Sequence, residues 1–79
     1  MKEKTPSPHN AFENTYPHIT TWVNGWGWIE IGQDDYSHSM VRALDIGGMV
    51  WEGKTEYQTM DDMFQDLEQG LAEWLDRNG

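Results

Sequence analysis

The sequence predicts an α+β domain, a three-stranded antiparallel β-meander packed against one long C-terminal amphipathic helix. Three observations carry that expectation. Residues 59–79 repeat their apolar side chains with a period near 3.6, and residues 26–53 hold three short alternating segments separated by polar or glycine-rich turns. A chain of 79 residues also has room for one core only.

The elements follow in chain order. Residues 1–16 contain Pro6, Pro8, scattered polar side chains and one bulky apolar group before Tyr16, Phe12, so they are expected to be a disordered tail ahead of a single domain over 17–79. Residues 17–25 carry two competing patterns. Ile19, Trp22, Val23 and Trp26 recur at helical spacing, Pro17 suits a first helical turn, and Asn24-Gly25 would supply a left-handed cap. The same Asn24-Gly25 pair between apolar segments is also a hairpin signal, so a short N-terminal helix is favoured and a hairpin strand is the alternative.

Residues 26–33 read as the first strand, with Ile29 and Ile31 on one face and Trp28 and Glu30 on the other. Residues 39–45 form the second, alternating Val41 and Ala43 against Met40, Arg42 and Leu44. A glycine-containing turn at 45–48 returns the chain into a third strand over 49–53. From Thr59, a good N-cap, the stripe Met60, Met63, Phe64, Leu67, Leu71, Trp74 and Leu75 defines the long helix. Asp61 and Asp62 near its start and Arg77 near its end suit the helix dipole.

Gly27-Trp28-Ile29-Glu30-Ile31-Gly32, the stretch 39–45 and the run from Gly47 to Gly53 together resemble a family of short bacterial proteins known as a domain of unknown function. The pattern is GWIEIG followed by SxVRxLDxGGxVWEG, and the likeness spans residues 17–77. It implies a bacterial, cytosolic setting and transfers no residue role.

Composition narrows the function classes. There is no cysteine, hence no disulfide framework or thiolate metal site, and ten aromatic residues must supply much of the core. Lys2 and Lys4 cancel Glu3 and Glu13, so residues 19–79 carry the whole formal charge of −9. Such a surface repels phosphate backbones and anionic lipid, which argues against nucleic-acid and membrane partners and permits a basic protein. Apolar runs are too short to span a bilayer and no signal-peptide core follows the first residues, so a cytoplasmic location is expected.

Few residues suggest chemistry. Glu30, Asp34, Asp35 and His38 form the one cluster with metal-ligand character, but a tetrahedral site would need a further donor as distant as His18. Solvated loop charges are the simpler reading. Ser37 and Ser39 flank His38 without any nucleophile motif, and no cofactor is implied. Arg42 is expected to pair with Glu30, Asp45 or Glu52 across strands, with carboxylate or phosphate binding as its other role.

One helix can cover only one face of the sheet, and alternation places Trp28, Met49 and Trp51 on the other. The favoured function is therefore a non-catalytic protein-interaction module, homodimeric, with Trp28, Arg42, Met49 and Trp51 as partner-binding residues. The alternatives are a small metal-binding protein or metal-dependent enzyme using Glu30, Asp34, Asp35 and His38, and a structural subunit or adaptor of a larger assembly.

Overall fold

Pro17 divides the N-terminal segment into two helices. A residue that precedes proline is driven out of the helical region, and Tyr16 sits at φ −129°, ψ 66° between them. In a computed structural model, which describes residues 8–33, 35 and 38–79, the elements are α1 Pro8–Thr15, α2 Pro17–Gly25, β1 Trp28–Ile31, β2 Val41–Asp45, β3 Gly48–Glu52 and α3 Met60–Asn78. The α+β meander with a long terminal helix is thus observed, and the N-terminal segment at 17–25 is helical rather than a hairpin strand.

The expected disorder of residues 1–16 needs correction over 8–16; residues 1–7 lie outside the described part. Helix α1 is held by ring contacts: Phe12 meets Tyr16 at 5.0 Å and Phe64 at 5.8 Å, and Tyr16 meets Phe64 at 5.5 Å. Three aromatic rings clustered in this way each add roughly 0.5 to 1.5 kcal/mol per pair beyond their area. Together with the apolar area they bury, these contacts work against the ordering cost of α1, more than one phenylalanine alone would do.

The end of α2 also differs from expectation. Gly25 stays within the helix and no left-handed cap forms; the Trp22 carbonyl instead accepts from the Trp26 and Gly27 amides at 2.9 and 3.0 Å. Gly27, just before β1, then runs so close to the Leu44 carbonyl that a Cβ there would collide with backbone. At this same end of β2, Gly48 takes φ +123° where the turn enters β3, a conformation that other residues rarely adopt.

The sheet order is β1-β2-β3, antiparallel throughout. Between Ala43 and Leu44 the pairing with β3 shifts by one residue: Ala43 faces Trp51, Leu44 faces Met49, and Val50 is the extra residue of a bulge. Directly opposed residues share a face, so Ile29, Ala43 and Trp51 lie on one side and Trp28, Leu44 and Met49 on the other.

Helices α2 and α3 pack on the first of these faces. Ile19, Trp22, Val41, Ala43, Met63, Leu67 and Leu71 make the buried core, and Phe12, Tyr16, Ile29, Val50, Trp51, Phe64, Trp74 and Leu75 are among those that pack around it. Fully burying one such aliphatic side chain contributes roughly 1.5 to 3 kcal/mol. Trp22 is fully buried; its ring stacks on Trp26 and meets Trp74 edge-on at 5.2 Å. Gly70 of α3 is buried where the Trp51 indole lies against the helix.

Candidate functional site

Trp51 does not belong to the open face, contrary to the strict alternation assumed from the sequence. The bulge at Val50 adds a residue, which turns Trp51 toward Gly70 and leaves Met49 on the outside. The open face therefore carries one apolar row across all three strands, Trp28, Leu44 and Met49 in register. Trp28 is 44% exposed and Met49 51% exposed, and the hairpin tip adds Ile46 at 99%. The Trp28 indole is fixed by donating from Nε1 to Glu30 Oε2 at 3.2 Å.

A second row on this face, two residues further along β1 and β2, holds Glu30, Arg42 and Glu52. Arg42 is only 4% exposed, so it is not presented to a partner as the sequence suggested. Its Nε lies 3.4 Å from Glu30 Oε1, Nη1 donates to the Ser39 carbonyl at 2.7 Å and to its hydroxyl at 3.2 Å, and Nη2 donates to the Gly32 carbonyl at 2.7 Å. The guanidinium fork ties both ends of the 32–39 connection to β2. That is a structural role, and the expected pairing with Glu30 is present, whereas Glu30 and Glu52 remain exposed.

The metal candidates do not assemble among the described residues. Glu30 directs its two oxygens to Arg42 and Trp28, Asp35 and His38 are exposed, and Asp34 lies outside the described residues. The His38 carbonyl accepts from Gln33 Nε2 at 2.6 Å. No group of three or more His, Asp or Glu among the described residues is placed to hold a metal ion.

Two polar constellations escaped the sequence reading. The first joins α3 to the start of α2, where Tyr16 offers no side-chain cap. Glu68 supplies it: its carboxylate accepts from the His18 amide at 2.9 and 3.1 Å and the Ile19 amide at 3.0 Å, and lies 2.6 Å from His18 Nδ1. A carboxylate only accepts, so Nδ1 carries the hydrogen. The anion sits at the positive end of the α2 dipole, and helix capping accounts for its position in full. Residues 18 and 68 are 50 positions apart, and no local pattern announces such a pair.

The second lies between the 54–58 connection and α3. Tyr57 donates to Asp66 Oδ2 at 2.6 Å and accepts from the Lys54 amide at 2.9 Å. Burial first, then the hydrogen bond to Asp66, raise its phenol above the ordinary value of 10.0. Lys54 Nζ lies 5.6 Å from the centroid of the same ring. No helix among the described residues is long and apolar enough to cross a membrane. Comparison with family models, with curated proteins and with solved structures finds no match, so function has to be read from the residues themselves.

Proposed function

We propose that the chain is a non-catalytic protein-interaction module that self-associates through its open sheet face. The observation that carries this reading is the in-register row Trp28, Leu44 and Met49 on the side that no helix covers. Contiguous apolar surface rimmed by polar groups marks a protein contact more often than a solvated face.

A second copy fits the charges of that face. A twofold axis along the row stacks the two apolar rows on each other and reverses the strand direction between copies. The Glu30–Arg42–Glu52 row lies two residues along β1 and β2 from the apolar row, and three along β3 because of the bulge at Val50. At about 3.4 Å per residue the carboxylate rows of the two copies stand roughly 13 Å apart along the strands, beyond a Debye length of about 10 Å at 0.1 M salt. Self-repulsion at the contact is therefore mostly screened.

The footprint sets the affinity. Strands of four, five and five residues span about 14 by 17 Å, smaller than a standard specific interface, so weak association, no tighter than tens of micromolar, is expected. Sedimentation equilibrium of the wild type and of Met49→Glu tests it. The wild type should show a monomer–dimer equilibrium that tightens as salt is raised and that Met49→Glu abolishes. A wild type that stays monomeric at high micromolar concentration would remove the proposal.

A further inference from the structure

A different surface, where the 54–58 connection meets α3, has a bipartite character. Met40, Met60, Met63, Tyr57, Gln58 and Thr59 line an apolar socket of about 200 Å³. Beside it runs a polar trough of about 600 Å³ lined by Lys54, Glu56, Asp62, Gln65 and Asp66 among others. Tyr57 and Gln58 belong to both, so socket and trough adjoin.

The two halves ask for different chemistry. Methionine is unbranched and polarizable, and a socket lined by three of them adapts to an aliphatic or aromatic side chain of varied shape. Met60 at its mouth is 56% exposed while Met63 at its base is fully buried, so the socket is open above and firm below. The trough carries three carboxylates against one lysine, a net charge of −2 by that count. Its dividing wall is stiff: the Tyr57 hydroxyl is held between Asp66 and the Lys54 amide. The Gln58, Gln65 and Gln69 amides add donors and acceptors along the floor.

We infer that this groove docks a linear segment of another protein in which a large apolar side chain stands next to lysine or arginine. The apolar group enters the methionine socket, and the cation lies in the trough against Glu56 and Asp62. The charge of the trough selects the cation; the shared Tyr57 wall sets the two groups next to each other in the bound segment. The chain as a whole, at −9, steers such a basic segment toward it over longer distances. This inference is independent of the open sheet face.

The test uses the full chain and a fluorescein-labelled pentapeptide with a central leucine between lysine and arginine, followed by anisotropy. Saturable binding near 100 μM that weakens as salt is raised is the expected order of magnitude for one pocket and one or two screened charges. Gln65→Lys, on an exposed helix position, should weaken binding by about fivefold or more, and Glu56→Gln, outside any helix, should weaken it in the same direction. Trp28→Glu should leave it unchanged. Lack of saturation up to about 1 mM, equal binding of a peptide with glutamates in place of the cations, or indifference to both Gln65→Lys and Glu56→Gln would overturn the inference. Loss of binding in Trp28→Glu would move the site to the sheet face and overturn it as well.

Discussion

Replacing Gly70 by alanine sets two effects of opposite sign against each other. In an exposed helix interior the change should stabilise by about 1 kcal/mol, since glycine is that much poorer a helix former. Gly70 is buried in the middle of α3, and a Cβ there would come within 2.6 Å of Trp51 Cδ1 and closer still to neighbouring atoms of the indole. Overpacking of this kind costs roughly 1 to 3 kcal/mol. The indole is a rigid double ring packed against the core, and retreat would carry β3 with it, so the upper part of that range applies. The net expectation is a loss of about 1 to 2 kcal/mol. Urea unfolding followed by far-UV circular dichroism measures it without depending on the tryptophan signal. In a Trp51→Leu background the collision is gone, and the same substitution should become neutral or stabilising. A gain of stability for Gly70→Ala in the wild type would refute the placement of Trp51 against α3.

Three other outcomes can be stated. Glu68→Ala removes a charged cap from two backbone amides and should cost about 2 to 3 kcal/mol in the same unfolding assay, with Glu68→Gln costing about 1; a change under about 0.5 would contradict the cap. Leu71→Ala should cost roughly 2 to 5 kcal/mol and Glu73→Ala under about 0.5, because the first is fully buried and the second exposed; equal costs would contradict the orientation of α3. Tyr57, whose phenol titrates above 10.0 when folded, contributes stability that is complete below that pH and lost as pH rises through the raised value. Tyr57→Phe should therefore be less stable than wild type at neutral pH and show a flatter fall in alkali; parallel pH profiles would contradict the buried Tyr57–Asp66 bond.

Local periodicity carried most of the fold. The α3 stripe and the Thr59 cap need only a helical period and a short side-chain oxygen; the stripe packs on the core from Met63 to Leu75, with Met60 exposed instead, and Thr59 Oγ1 accepts from the Asp62 amide at 3.0 Å. The side of the sheet that Trp51 occupies could not be read in the same way. Alternation assumes one residue for one residue, and the bulge at Val50 breaks that count without a proline or glycine at the site to signal it. Helix α1 was missed because its stabilisation is tertiary: Phe12 has no bulky apolar neighbour in sequence before Tyr16, and its other ring partner is Phe64. Arg42 was half read. Its carboxylate partner follows from strand pairing, but the carbonyls of Gly32 and Ser39 depend on how the intervening connection closes. The same limit hid the cap from Glu68.

The central claim is that the open sheet face, and not the helical side, makes the self-contact, and 5-fluorotryptophan labelling tests it most directly. The five tryptophans give five ¹⁹F signals, of which Trp28 lies on the proposed contact and Trp22, Trp51 and Trp74 pack in or against the core. Across a dilution series that spans the micromolar range, the Trp28 resonance should shift along a binding isotherm while those of Trp22, Trp51 and Trp74 stay in place. A Trp28 signal that is constant at all concentrations, or a shift at Trp51 instead, would contradict the account.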